Sequence, residues 1–290
     1  MQKLLIKLLV PLFLCFFGVT VMAGEFKCVH EQDTAPALDQ KADSLFKQAR
    51  VIGKERLPDW TKVADLYQQA VEKDHWKAMH NLAELYLRGD GVAKDTNKAI
   101  DLYMRMVKLQ VPLGYYDMSV MTQRGVGVVQ SDKDAMLFLI KAADLGSPEA
   151  QTRIGYIYVY DKNKDAIGLG YMKCAAKQGY ADANYKLGTY YQGIDKNYPV
   201  AMHYYQRAAA LGEDKGAMEI KDVFEEGLNG YPKNAKLAKV YDDISSRFYR
   251  DSDLRLPNLA KDYPLPPHPI QGYHGDKDIN WKPTGRDDDY

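Results

Sequence analysis

Along the middle of the chain, from about Thr61 to Gly227, apolar residues recur at intervals of three and four rather than two. Leu82, Leu85 and Tyr86 form one such stripe, and Ala99, Leu102, Tyr103 and Met106 form the next. That spacing puts side chains on one face of an α-helix. The stripes also recur as a set. Lys141-Ala142-Ala143-Asp144-Leu145-Gly146 returns as Cys174-Ala175-Ala176-Lys177-Gln178-Gly179 and as Arg207-Ala208-Ala209-Ala210-Leu211-Gly212, with glycines 33 residues apart. Steps of 36 lead back from Gly146 to Gln110 and Asp74, which close degenerate copies of the phrase. A second ladder runs through Ala78, Gly114, Ala150, Ala183 and Gly216 on steps of 36, 36, 33 and 33. Each of its members is followed four residues on by an apolar one: Leu82, Met118, Ile154, Leu187 and Ile220. Two interleaved ladders of one period predict two helices per repeat.

Such helices, about 10 to 14 residues each, are marginal in isolation and must stack on their neighbours. The pattern therefore predicts an all-α fold, an α-solenoid of helical hairpins. Gly89-Asp90-Gly91-Val92 and Gly125-Val126-Gly127-Val128 are expected to turn the chain between paired helices. A phosphate-cradling loop is a weak reading there, because neither turn follows a predicted strand or matches a nucleotide fingerprint. The third unit lacks such a turn and is about three residues shorter. Its loop is expected to be tighter, or its first helix longer. Beyond the repeats, residues 234–249 carry Leu237, Val240, Tyr241, Ile244 and Phe248 on one stripe, which predicts a capping helix. Prolines at 257, 264, 266, 267, 269 and 283 then require an extended tail, either laid across the repeats or serving as a docking arm.

The N-terminus adds a compartment. Lys3 and Lys7 precede an apolar run from Leu8 to Met22, and Val21-Met22-Ala23 closes it with a small residue. That is the layout of a secretory signal peptide, and the run is short for a membrane span. Bulky Leu12-Phe13-Leu14 ahead of Cys15 argue against a lipoprotein signal. The expected organisation is a signal peptide over 1–23, an N-terminal arm and first helix over 24–59, the solenoid over 60–230, and a cap with a proline-rich tail over 231–290. No integral span is expected after cleavage. The whole chain has 39 basic and 39 acidic residues, and losing the two leader lysines leaves 37 basic against the same 39. Nothing there attracts nucleic acid or an anionic membrane nonspecifically. Export to an oxidising compartment favours a disulfide between Cys28 and Cys174, worth about 4 to 5 kcal/mol in the chain-entropy picture for so long a loop.

Candidate chemistry is sparse. Six histidines are present, and His75 and His80, five residues apart, are not at the one-turn spacing of a helical metal pair. Each histidine reads as a surface or turn residue. His274-Gly275-Asp276-Lys277-Asp278 has its lysine one place late for a phospholipase D signature and no second copy. No serine sits in a nucleophile elbow, and Cys174 falls on the outer side of its helix. Asp287-Asp288-Asp289 reads as a solvated tail. The expectation is a protein that is not an enzyme and carries no metal or cofactor.

The Ala183-to-Tyr191 spacing, the Gly-Asp-Gly-Val turn and the Lys-Ala-Ala-x-x-Gly close resemble the Sel-one-like repeat, a tetratricopeptide-like hairpin, over roughly four full units with a half unit at each end. The flanks, Phe26-Lys27-Cys28-Val29-His30-Glu31 and Leu256-Pro257-Asn258 with Pro264-Leu265-Pro266-Pro267, resemble exported bacterial members thought to be immunity proteins against phospholipase D-type effectors of type VI secretion. The ending after Gly272 departs from that subgroup. The resemblance also supports the Cys28–Cys174 pairing, and it implies a periplasmic protein that neutralises such an effector by steric occlusion. The alternative is an exported adaptor or scaffold in envelope maintenance or stress signalling. The family's helical phase puts the first helix of each unit on a concave, partner-binding face. The inward set it implies is His80, Glu84, Arg88, Tyr116, Gln123, Arg124, Tyr156, Tyr160, Tyr185, Gln192, Asp222 and Glu225, with Thr152 and Asp182 among them. Tyrosine and arginine are enriched at binding hot spots.

Overall fold

The computed structural model describes residues 26–161, 164–251 and 253–268, and every regular element among them is a helix. A single turn, α1 (Glu31–Thr34), precedes six hairpins: α2 (Gln40–Gly53) with α3 (Trp60–Val71), α4 (Trp76–Arg88) with α5 (Thr96–Lys108), and α6 (Pro112–Arg124) with α7 (Asp132–Asp144). Then follow α8 (Pro148–Tyr158) with α9 (Asp165–Lys177), α10 (Ala181–Gly193) with α11 (Tyr198–Ala210), and α12 (Asp214–Glu226) with α13 (Ala235–Arg250), before a last turn, α14 (Leu259–Asp262). First helices start at 40, 76, 112, 148, 181 and 214, so the period of the sequence ladders extends one unit further towards the N-terminus. The sequence suggests a half unit at each end. In the structure α2 packs on α3 and α13 on α12, which completes both terminal hairpins.

The two ladders have different physical meanings. The Gly146 ladder marks where each second helix stops: Asp74, Gln110, Gly146, Gly179 and Gly212 all have positive φ, between 56° and 98°. The degenerate Asp74 and Gln110 thus adopt the same left-handed turn without a glycine, at some cost in strain. The other ladder anchors the core. Leu82, Met118, Ile154, Leu187 and Ile220 are each no more than 3% exposed, and burying such a side chain is worth about 1.5–3 kcal/mol. Several helices start on polar caps, as where the Ser131 and Ser147 hydroxyls accept from the backbone of Asp134 and Ala150.

The third unit shortens in two places. Its connection, 159–164, has six residues where the preceding glycine turns, 89–95 and 125–131, have seven. The first helix is not longer, however: α8 has 11 residues where α4 and α6 have 13. Where α4 and α6 end on left-handed Gly89 and Gly125, α8 ends on right-handed Val159 and lies hard against α9. A Cβ on Gly168 would sit 2.7 Å from the Gly155 carbonyl oxygen.

The N-terminal arm lies over this same unit. Cys28 and Cys174 form a disulfide with Cα atoms 5.4 Å apart. Phe26 meets the Tyr171 ring edge-on at 4.8 Å. The Gln151 side-chain amide donates to the Val29 carbonyl at 2.8 Å, and the Glu31 backbone N–H donates to Gln178 Oε1 at 2.9 Å. Cys174 is therefore 1% exposed, although the matching Lys141 in the preceding unit is exposed. The sequence places Cys174 on an outer surface. The arm buries that surface.

The tail, through His268, lies on the last units. Leu256 N–H donates to Ala210 O at 2.8 Å, the Gln206 amide donates to Tyr263 O at 2.8 Å, and His268 Nε2 lies 2.9 Å from Asn229 O. Of the two possibilities left by the prolines, these residues take the first. The leader expected over 1–23 and residues 269–290, with the His274 segment and the terminal aspartates, lie outside the described residues. Among the described residues no helix is long and apolar enough to cross a membrane.

Candidate functional site

First helices of consecutive units touch one another, α6 on α8, α8 on α10 and α10 on α12, and so form one continuous face. Between α4 and α6 this face opens into a cavity of about 310 Å³. Five of the twelve residues expected on the inward face line it: His80, Glu84, Tyr116, Gln123 and Arg124. They are joined by Tyr103 from α5 and Arg153 from α8.

An ion pair that the sequence did not suggest lies at its centre. His80 Nδ1 stands 2.8 Å from Asp117 Oδ2, with the imidazole one-fifth exposed and the carboxylate about one-tenth. Burial works against the charged imidazole, but the charge and hydrogen bond of Asp117, with Glu84 and Glu149 behind it, win and lift its pKa to about 9. Burial raises the pKa of Asp117, and His80 opposes that rise. Tyr103 donates its hydroxyl to Glu84 at 2.7 Å, and its own ionisation is driven up by burial and by the carboxylates of Asp117 and Glu84. At neutral pH His80 is therefore cationic and Tyr103 a neutral donor. The Arg153 guanidinium reaches over to donate to Gln123. Arg124 is exposed and has no carboxylate partner among the described residues.

Farther along, the face changes character. Lys186 lies over the Tyr156 ring at 4.7 Å and over Tyr185 at 5.5 Å, and Lys215 approaches Tyr185 from α12 at 5.6 Å. Tyr160 lies just past the end of α8, exposed, with its ring edge-on to Tyr156 and its hydroxyl 3.3 Å from the Tyr156 hydroxyl. These contacts tie three units into a ladder of aromatic rings and ammonium groups, each worth about 0.5–1 kcal/mol where exposed.

The remaining expected residues are engaged locally. Arg88 pairs with Glu84 at 3.5 Å and Asp90 at 2.7 Å. Gln192 accepts from the Tyr205 hydroxyl. Asp222 and Glu225 both hold Lys221, at 3.3 and 2.9 Å. Thr152 is a correction. It is 3% exposed and its hydroxyl returns to Pro148 O at 2.6 Å, so it is a core residue unable to meet a partner. The histidines also resolve differently. His75 is fully buried, caps α4 by accepting from Ala78 N–H at 3.1 Å, and stacks on Phe46.

Asp117, Arg153 and Lys186 were missed because each follows a chosen position by one residue, a rotation of about 100° on a helix. The sequence nonetheless carries their signal. Asn81, Asp117, Arg153, Lys186 and Glu219 recur on the same steps of 36, 36, 33 and 33, and all are polar. Among the described residues one group of potential metal ligands converges, Cys28, His30 and Cys174, and there both sulfurs are committed to the disulfide.

The Sel1 repeat family model matches residues 76–107, 112–147, 148–180 and 181–213. The crystal structure of immunity protein PA5088 from Pseudomonas aeruginosa is 46% identical, covers 86% of this chain and 96% of that one, and superposes with a TM-score of 0.76. Immunity protein Pa5087 from the same organism is 42% identical over 86% of this chain and 97% of its own, with a TM-score of 0.73. DAP3-binding cell death enhancer 1 from Mus musculus is 26% identical over 67% of this chain, which spans only 42% of that protein. With its repeats matched and a near full-length relative close to half identical, the chain belongs to the Sel1-repeat proteins, in the family of these two P. aeruginosa proteins.

Proposed function

We propose that this protein is a periplasmic immunity protein. It binds a phospholipase D-like effector of type VI secretion through the inner face of the solenoid and blocks that effector by steric occlusion. The observation that carries this reading is the 46% identity over nearly the whole length of PA5088, itself described as an immunity protein. The inner face supports it, since a row of first helices presents Tyr116, Arg124, Tyr156 and Tyr185, the residue types that anchor protein interfaces. The disulfide that fastens the arm suits an oxidising compartment. Occlusion needs only shape and complementary contacts. On this reading the His80–Asp117 pair holds the groove in shape and takes no part in chemistry.

The test is a pull-down of the mature chain with the effector encoded beside its gene, together with a co-expression assay in which the effector is directed to the periplasm. Wild type should restore growth. Tyr156→Ala with Arg124→Ala should lose protection while keeping the wild-type circular dichroism spectrum and melting temperature. Failure of any phospholipase D-like effector to bind the mature chain would overturn the reading. Full protection by the double variant would move the contact surface off the inner face.

A further inference from the structure

The solenoid curls until its ends meet. Lys54, at the end of α2, pairs with Asp253, just beyond α13, at 2.7 Å. A second depression of about 650 Å³ lies beneath this contact, walled by Arg50 and Lys54 on one side and by Arg250, Asp251 and Asp253 on the other. It shares His80 and Glu84 with the cavity between α4 and α6, so the two adjoin across these side chains. The N-terminal half of the inner face is thus a pit closed on the far side by the end of α13.

Its charge is lopsided. The chain as a whole is balanced, yet basic side chains outnumber carboxylates around the pit. Three of the four carboxylates are also paired, Asp117 with His80, Glu84 with Tyr103 and Arg88, and Asp253 with Lys54, while Asp251 accepts from the Asp253 backbone N–H at 3.0 Å. Arg124 and Arg250 are exposed, and neither has a carboxylate partner among the described residues; Arg250 donates only to the Ser246 carbonyl, at 3.2 Å. One guanidinium lining each of two adjoining basic depressions, Arg124 in the first and Arg250 in the second, suits a carboxylate-bearing segment, for which Arg is the better donor because its fork can bond both oxygens.

We propose that this pit is a socket for an acidic loop of the partner protein, held by Arg124 and Arg250. The walls favour a narrow protruding element over a flat surface. The inference rests on the inner face being the partner surface and goes further, to the chemistry of what enters it and where.

The probe is a short cyclic peptide with a run of glutamates, compared with its glutamine counterpart, titrated into the full mature chain by calorimetry and by NMR of the arginine side chains. The glutamate peptide should bind at low salt and shift Arg124 and Arg250, and its affinity should fall about tenfold or more in R124E/R250E and in high salt. R124K/R250K should retain binding and show that the fold is intact. Equal binding of both peptides, or of the glutamate peptide to wild type and R124E/R250E, would overturn the socket. A recovered effector that binds R124E/R250E as tightly as wild type would also overturn it and leave the immunity reading standing. Failure to recover such an effector, alongside charge-dependent peptide binding at Arg124 and Arg250, would remove the immunity reading and uphold the socket.

Discussion

The two halves of the inner face use the same helical positions differently. In the N-terminal half, built from 36-residue units, the fifth and sixth positions of α4 and α6 place His80 and Asp117 together as a partly buried ion pair beside an open cavity. In the C-terminal half, built from 33-residue units, the same positions on α10 carry Tyr185 and Lys186, which lie flat against Tyr156 and Lys215 and fill the surface. The halves are also secured differently. The first depends on a buried charge that must keep its partner. The second is clamped from outside by the disulfide-linked arm. One register can thus serve as socket or as paving, according to whether its side chains satisfy each other across the groove or along it.

Four measurements bear on this contrast. The largest effect should come from Cys28→Ser with Cys174→Ser, which releases the arm and is expected to cost about 2–5 kcal/mol in denaturant unfolding. Amide exchange should then rise in α8 and α9 before α4 to α6. Uniform loosening would mean that the arm does not act on one half in particular.

Next is Asp117→Asn, expected to cost about 1–3 kcal/mol because a buried group loses its charged partner. Here the exchange should rise in α4 to α6. The groups facing His80 are Asp117 from α6, Glu84 from its own helix, Tyr103 from α5 and Glu149 from α8. By NMR the wild-type imidazole should titrate near 9, and the variant's far lower, since burial then acts with its main opponent gone. A histidine whose folded pKa exceeds its unfolded value of 6.5 contributes stability in full below 6.5 and loses it as pH rises through about 9. Wild type should therefore lose more stability across that window than Asp117→Asn. A flat wild-type profile would mean that the pair is not charged.

Smaller still, Lys186→Ala should lower stability by about 0.5–1 kcal/mol through its lost ring contacts, with no change in the His80 titration. Last, Tyr160→Phe removes only an exposed hydroxyl contact and should stay within about 0.5 kcal/mol in a thermal melt. A large effect would show that the ladder bears more of the fold than its exposure implies.

Much of the fold was legible because repetition amplifies weak signals. One such phrase is ambiguous, but five phrase ends at fixed steps are not, and the degenerate Asp74 and Gln110 fall on the same left-handed turns as the glycines. The completeness of the terminal hairpins was harder to see, because α2 and α13 share the helical pattern but not the phrase. The inner face was half legible. Side-chain type marked tyrosines and arginines, but the phase was borrowed, and a slip of one position hid Asp117, Arg153 and Lys186 while admitting Thr152.

What this sequence determines by itself is local and periodic: which stretches are helical, where each turns, and which residues anchor the core, since those depend on contacts repeated within and between neighbouring units. Only the tertiary structure decided that Cys174 is buried and that Lys54 meets Asp253. Each of these depends on residues tens to nearly two hundred positions apart meeting in space. Small rotations from one hairpin to the next accumulate into a curl that no single repeat encodes.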